Sequence, residues 1–163
     1  MLRLSRAIAS IVRRPLLSPA VPAVPSQEEV IEALKGRLEG TFPGDMALEP
    51  LEITKERSRG RMVVDRRHLH PGGFVHGGAW VGFADSVAAW VTFPNLPAGA
   101  DFTTIELKLN VFKAGRDGDV IEAVAEPLHV GRSTIVVEVE MTRGDQRVAH
   151  LIVTQFVIHP REG

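Results

Sequence analysis

The apolar and polar positions of the chain fall into one continuous apolar segment and several alternating ones. From about residue 76 to residue 93 nearly every side chain is apolar or small, which is typical of a helix buried on all sides. Pro94 and Pro97 end that segment. Apolar and polar residues alternate in four later segments, as expected of β-strands with one buried face. These segments are 102–112, 120–130, 134–142 and 147–158.

The details of the alternation predict which side chains face the core. In the first of the four strands, the buried face is predicted to carry Ile105, Leu107, Leu109 and Val111. Pro127 interrupts the second strand and predicts either an edge position or a bulge. Two weaker segments, 48–56 and 60–65, predict a further pair of strands around a turn at residues 58–60.

The segment before these strands predicts a first, shorter helix. Ser26 is suited to cap it, and Glu28 and Glu29 stand in its first turn, where the helix dipole favours acids. Gly40 and Pro43 end it. The predicted fold class is therefore α+β: an antiparallel sheet of about five to six strands wrapped around one central apolar helix.

Composition places the chain among ordinary globular proteins. Its 163 residues suffice for one domain with a substantial core, and 44% apolar with 24% charged residues exclude wholesale disorder. The net charge of −1 gives no electrostatic basis for a nucleic-acid partner. The absence of cysteine excludes disulfides, thiolate metal sites and a cysteine nucleophile. No apolar run reaches the roughly 18 residues that an integral membrane segment needs.

The first 25 residues differ from the rest and are predicted to be a basic extension followed by a proline-rich linker. Four arginines and no acid precede Glu28, and arginines and aliphatic residues fall on opposite helical faces. That pattern is typical of a mitochondrial targeting segment, but it also suits a membrane surface, a partner surface or a poorly ordered extension. Residues 26–163 are predicted to form the folded domain. The predicted location is the cytoplasm, or the mitochondrial matrix if residues 1–25 act in targeting.

Residues 70–86, HPGGFVHGGAWVGFADS, join a glycine-rich loop to a helix with a single carboxylate. A lone buried acid is unfavourable unless something holds or uses it, so Asp85 needs a role. Gly77 and Gly78 stand where the helix begins, so their N–H groups lack helical partners and favour negative charge. Thioester hydrolysis needs an activated nucleophile, an oxyanion donor and a water-poor site. The sequence leaves open whether Asp85 and Gly77, slightly over two helical turns apart, act within one chain or across subunits.

These residues resemble a known family. The loop GFVHGG at 73–78, the sequence FADS at 83–86 and the strands TTIELKLNVFKAG and LHVGRSTIVVEVEM are similar to hotdog-fold acyl-CoA thioesterases of the phenylacetate-degradation (PaaI) and hydroxybenzoyl-CoA type. The resemblance covers about residues 45–158. It implies a hotdog fold, hydrolysis of an acyl-CoA substrate to free acid and coenzyme A, and no cofactor or metal. It also implies a homodimer, usually paired into a homotetramer, with active sites shared between subunits.

The resemblance also implies roles for single residues. Asp85 is implied to be the catalytic carboxylate, as nucleophile or as general base for water, and the N–H of Gly77 to polarise the thioester carbonyl. His76 is a candidate either to orient the loop or to cap the helix. His70 stands where the family commonly has Asn or Gln, so its replacement of that water-positioning group stays open. Ala89 stands where relatives that use Glu have Ser or Thr, which favours the Asp chemistry.

Basic residues are expected to bind the phosphates of coenzyme A. Arg132 in the sequence VGRS matches a Gly-Arg position of the family and is the first candidate. Ser133 beside it is a candidate hydrogen-bond donor, and Lys113 and Arg116 are further basic candidates. The remaining motif residues predicted to bind substrate are Gly78 and Ser86.

Three other functions compete with hydrolysis. His68, His70 and His76 include an H-x-H spacing seen in zinc sites, but no neighbouring acid or cysteine obviously completes a tetrahedron. Asp65 and His70 have the spacing of a hotdog-fold hydratase or dehydratase, although such an enzyme would not need the helix carboxylate. A non-catalytic acyl-CoA-binding protein is the third. Sensors of this fold carry a DNA-binding module, and the N-terminal region shows no helix-turn-helix pattern.

Overall fold

The computed structural model describes residues 25–160, in which six antiparallel strands form one sheet against a central helix. The helices are α1 (Gln27–Leu38), α2 (Phe42–Asp45) and α3 (Gly77–Thr92). The strands are β1 (Glu49–Ile53), β2 (Ser58–Val63), β3 (Asp101–Val111), β4 (Val120–Val130), β5 (Thr134–Arg143) and β6 (Gln146–Ile158). Short 3₁₀ helices, Arg66–His68 and Phe93–Asn95, precede and follow α3. The strand order is β1-β2-β4-β5-β6-β3, so β1 and β3 form the two edges.

α3 is the centre of the hydrophobic core. Ten of its 16 residues are buried, and it packs against the inward faces of β2, β4, β5 and β6. Each fully buried large side chain, such as Phe83, contributes roughly 2 kcal/mol. Two hydroxyls also tie α3 to the sheet: Ser58 Oγ donates to the Val87 carbonyl (2.6 Å), and the Thr92 hydroxyl bonds the side chain of Gln155. The predicted α+β fold class is confirmed.

α1 begins as its sequence predicts. The Ser26 side chain accepts the Glu29 N–H, and the Glu29 carboxylate accepts the Ser26 N–H, which together form a capping box. The side-chain amide of Gln27 bonds both backbone groups of Ile53 on the edge strand β1. The apolar residues of α1 pack against the core and are partly buried: Val30, Ile31, Leu34 and Leu38. α1 therefore forms a layer beside α3 without being buried itself.

Two local expectations are wrong. The turn between β1 and β2 lies at residues 54–57, because Thr54 accepts the backbone N–H of Arg57 with its hydroxyl and donates its own N–H to the Arg57 carbonyl. A bulge between Thr104 and Glu106 shifts the alternation of β3. As a result Ile105 is 57% exposed, and Thr104 is half-buried. Val111, also predicted on the buried face, is exposed at the end of β3.

Pro127 stands next to a bulge between Pro127 and His129, while β4 lies inside the sheet, so the bulge alternative is confirmed. The short helix α2 was not predicted. The predicted basic extension falls almost wholly on residues that the structure does not describe, so the domain boundary at residue 25 stays a prediction. No helix described between residues 25 and 160 has the length and apolarity needed to cross a membrane.

Candidate active site

Asp85 lies midway along α3 and is held from the start of β3. Its Oδ1 accepts a hydrogen bond from the Thr104 hydroxyl at 3.0 Å. Burial raises the pKa of the Asp85 carboxyl above its ordinary value, and the bond from Thr104 opposes part of that rise. No charged group among the described residues adds to either effect. The carboxylate is thus oriented by one hydroxyl, more basic than an exposed aspartate, and has lone pairs left for chemistry.

A cavity of about 700 Å³ opens beside Asp85 between α1, α2 and α3. Its lining is mainly apolar, and it holds three of the chain's seven phenylalanines and one of its two tryptophans. These are Phe42, Trp90, Phe93 and Phe102. The rings of Phe93 and Phe102 meet edge to face with centroids 5.1 Å apart. The charged residues of the lining are Asp85, Glu29 and Arg37, and Glu29 is held in the cap of α1. A mainly apolar cavity with a few polar groups has the form of a ligand site.

The beginning of α3 presents a free backbone donor. His76 caps the helix, and its Nδ1 accepts the N–H of Gly78 at 2.8 Å. The N–H of Gly77 donates to no group between residues 25 and 160. A Cβ added at Gly77 would meet nothing within 4 Å, so the space around this residue is open. Gly77 therefore offers its N–H at the positive end of the helix dipole, whereas the N–H of Gly78 is already used.

A second cavity, of about 490 Å³, surrounds Gly77 and brings it together with His70 and Lys113. The Nδ1 of His70 accepts the N–H of Gly72 at 2.9 Å. In the neutral ring the proton consequently stands on Nε2, so His70, which lines the Gly77 cavity, keeps one N–H to donate. Trp80 and Phe112 are among the apolar residues that line it.

The other predicted substrate-binding residues lie in two places. Ser86 lines the Asp85 cavity, but its hydroxyl donates to the Gly82 carbonyl at 2.7 Å. Arg132 and Ser133 line a separate cavity of about 510 Å³ with His159, at the beginning of β5 and the end of β6. Within one chain, the predicted site residues are therefore spread over three cavities.

Hydrogen bonds to the backbone hold the three histidines of the loop in place. Each of His68, His70 and His76 accepts a nearby backbone N–H through Nδ1. The buried His68 also bonds the Met46 carbonyl through Nε2 (2.8 Å), which leaves no nitrogen for a metal ion. No group of three His, Asp or Glu side chains within the described part of the chain is placed to hold a metal. Asp65 caps the 3₁₀ helix and pairs with Arg67, so it is not joined to His70 as a hydratase pair.

Comparison with known proteins identifies relatives of this chain. The candidate esterase ComA2 of Bacillus subtilis is 36% identical over 112 residues, which cover 63% of this chain and 82% of ComA2. The model of the thioesterase superfamily matches residues 72–150, which include the glycine loop and Asp85. The chain belongs to the thioesterase superfamily. The predicted family and the prediction of a thioester hydrolase are confirmed.

Two further proteins are similar to this thioesterase. The 1,4-dihydroxy-2-naphthoyl-CoA hydrolase of Escherichia coli is 29% identical over 68% of this chain and 81% of its own. A hypothetical thioesterase of Streptococcus pneumoniae, solved with coenzyme A, is 27% identical over 71% of this chain and 88% of its own, with a TM-score of 0.64.

Sequence reasoning about this thioesterase missed two parts of the site. Thr104 was assigned to no role, because a bulge reversed the alternation from which its direction was inferred. The aromatic cavity was missed because it joins the neighbouring helices α1 and α2 to the second half of α3, which is distant from them in sequence. Of the tryptophans, Trp90 lines the Asp85 cavity and Trp80 the Gly77 cavity, whereas Phe83 belongs to the core.

Proposed function

We propose that the protein hydrolyses acyl-CoA thioesters with an apolar, preferably aromatic, acyl group, and that each active site is shared by two copies of the chain. The observation that carries this proposal is Asp85, a half-buried carboxylate held by Thr104 at the wall of an aromatic cavity. The naphthoyl-CoA hydrolase among the relatives supports an aromatic acyl group.

The separation of Asp85 and Gly77 supports a site made by two copies. Eight residues of helix place them about 12 Å apart along the axis of α3. They also line different cavities. A nucleophile and an oxyanion donor must both lie about 3 Å from one reacting carbonyl, so one chain alone does not supply both.

The edge strand β3 offers a way to join two copies. Asp85 touches β3 near its beginning, at Thr104, whereas Val111 at the end of β3 lines the Gly77 cavity. Antiparallel pairing of two β3 edges about a two-fold axis brings the beginning of one strand beside the end of the other. Asp85 of one copy then faces Gly77 of the second. The homodimer, and a homotetramer of two such dimers, are part of this proposal.

The chemistry follows from these groups. With Asp85 as general base, its carboxylate takes a proton from water, and the water oxygen bonds the carbonyl carbon. The N–H of Gly77 and the Nε2–H of His70 stabilise the oxyanion, and the carbon–sulfur bond then breaks with its electron pair on sulfur. The thiolate of coenzyme A takes up a proton, and the free acid leaves. With Asp85 as nucleophile, the carboxylate itself bonds the carbon, and the carbon–sulfur bond breaks with its electron pair on sulfur to give the thiolate and an anhydride. Water then hydrolyses the anhydride to the free acid and the Asp85 carboxylate.

The predicted coenzyme A ligands suit the same arrangement. Ser133 and Phe102 flank Val157 of β6 from opposite sides, so Arg132 stands at the end of the sheet where β3 begins. The dimer places Lys113 of the second copy at that end as well. We propose that Arg132 and Lys113 bind phosphates of coenzyme A from the two copies, with Ser133 as a further donor.

Release of free thiol from a panel of acyl-CoAs tests the proposed function. The panel holds phenylacetyl, hydroxybenzoyl, naphthoyl, short, medium and long acyl groups, and Asp85→Asn is measured beside the wild type. We expect turnover of aromatic acyl-CoAs that falls at least 100-fold in the variant, while acyl-CoA still binds. Turnover unchanged in Asp85→Asn would refute the role of the carboxylate. Binding without turnover in the wild type would instead support the acyl-CoA-binding alternative.

The location of the protein is a separate proposal. We propose the cytoplasm. Fluorescent fusions with and without residues 1–25 test it, because import that depends on this segment would show the matrix instead.

A further inference from the structure

Phe42 stands beside the proposed carboxylate. Its ring packs on Gly82, where an added Cβ would lie 2.5 Å from Cε1 and 2.6 Å from Cζ of the ring. Gly82 is one helical turn before Asp85, so the ring lies against the face of α3 that carries the carboxylate. Phe42 is nevertheless 55% exposed and lines the same cavity as Asp85. The ring therefore contacts α3 on one side and leaves much of its apolar surface uncovered.

The backbone that carries Phe42 is fixed by contacts that do not involve its ring. Gly44 packs so closely on the end of α1 that a Cβ would not fit at this position. Arg67 Nη1 donates to the Asp45 carbonyl at 2.6 Å, and the buried His68 ring bonds the carbonyl of the residue after α2 at 2.8 Å. Because α2 is anchored at these points, the ring is not needed to hold it in place. A large apolar side chain on such a rigid support forms a fixed wall.

We propose that Phe42 is a specificity-determining residue whose ring sets the largest acyl group that fits between α2 and Asp85. This inference rests on the proposed hydrolysis of acyl-CoA. An apolar pocket discriminates by shape, and each methylene that fits or clashes changes the rate about 10-fold or more. Gly82 contributes to the same wall, because it leaves the space in which the Phe42 ring approaches α3.

The test is the acyl-size profile of Phe42→Ala and Phe42→Trp. Thiol release is measured with straight-chain acyl-CoAs of increasing length and with benzoyl-CoA and naphthoyl-CoA. We expect Phe42→Ala to raise kcat/KM for large relative to small acyl groups about 10-fold or more, and Phe42→Trp to lower that ratio. Phe156→Ala is the matched control, because Phe156 is 44% exposed on β6 and does not line the cavity. Thermal unfolding of each variant verifies that the fold is kept.

The outcomes separate the inference from the function on which it rests. A profile of Phe42→Ala that equals those of the wild type and Phe156→Ala, with turnover that still depends on Asp85, would overturn the role of Phe42 alone. No turnover of any acyl-CoA by the wild type would overturn the proposed function and this inference together. Opposite shifts in the alanine and tryptophan variants would support it.

Discussion

At the residue scale, the proposed site depends on the Asp85 carboxylate, whose pKa is subject to two opposing effects. Burial raises the pKa of Asp85, and the hydrogen bond from Thr104 lowers it again. The side chain must be ionised to act on water or carbon, so activity rises as the pH passes the pKa of Asp85. The hydroxyl of Thr104 is thus a positioning group that also keeps the carboxylate ionised at lower pH.

Thr104→Val should move the acidic limb of the pH profile. Without the hydrogen bond, the carboxylate loses the group that favours its charged form, and its pKa rises further. We expect the acidic limb of kcat/KM to shift to higher pH. Thr103→Val is the matched control, because Thr103 is the exposed neighbour of Thr104. Equal acidic limbs in the two variants would contradict the role of Thr104.

The raised pKa of Asp85 also predicts how stability changes with pH. Between the ordinary value of 3.8 and the raised value, the folded chain holds a proton that the unfolded chain has lost. Rising pH therefore lowers the free energy of unfolding through that window. Asp85→Asn has no such loss, so its stability relative to the wild type should increase from pH 3 to pH 7. Denaturant unfolding at both pH values measures this difference, and an identical difference at both would show that burial does not perturb Asp85.

At the element scale, the start of α3 sets the geometry of the proposed oxyanion donor, the N–H of Gly77. His76 caps the helix and uses the N–H of Gly78, so the N–H of Gly77 remains available. The helix itself was predictable, because its apolar residues cover nearly every face. Its cap was predictable only as one of two roles for His76. The direction of the His76 ring decides which of the two glycine N–H groups stays free. No periodicity in the sequence encodes that direction.

His76→Ala should loosen this helix start. Loss of a side-chain cap costs about 1 kcal/mol, and His76→Asn should recover most of it because Asn is a favoured cap. Denaturant unfolding of the two variants measures the difference. Equal destabilisation by Ala and Asn would show that the cap seen at Gly78 contributes nothing.

Gly77 permits a test of the backbone donor alone. Gly77→Pro deletes the N–H at the first helical position, where proline is tolerated, and His76 before it already has the extended backbone that proline requires. Gly77→Ala keeps the N–H and adds a Cβ in open space. We expect Pro to lower kcat about 100-fold or more and Ala to change it little. Comparable losses in both variants would show that space at Gly77 matters and not its N–H.

At the scale of the whole molecule, the sequence was sufficient for the fold class and for the family, but not for the assembly of the site. Alternation predicted the four long strands to within a residue or two, whereas the bulge at Thr104 was not predicted, since a single inserted residue leaves no mark on composition. Asp85 and Gly77 were predicted from the motif. Their separation into two cavities, and the placing of Arg132 in a third, became visible only in three dimensions.

The central claim is that Asp85 of one copy acts with Gly77 of another, and mixed dimers test it most directly. Asp85→Asn and Gly77→Pro chains with different tags are co-expressed, the mixed dimers are purified through both tags, and thiol release is compared with each variant alone. One of the two sites in a mixed dimer then holds both intact groups, so we predict about half of the wild-type activity per dimer. Mixed dimers as inactive as the parent variants would contradict the shared site.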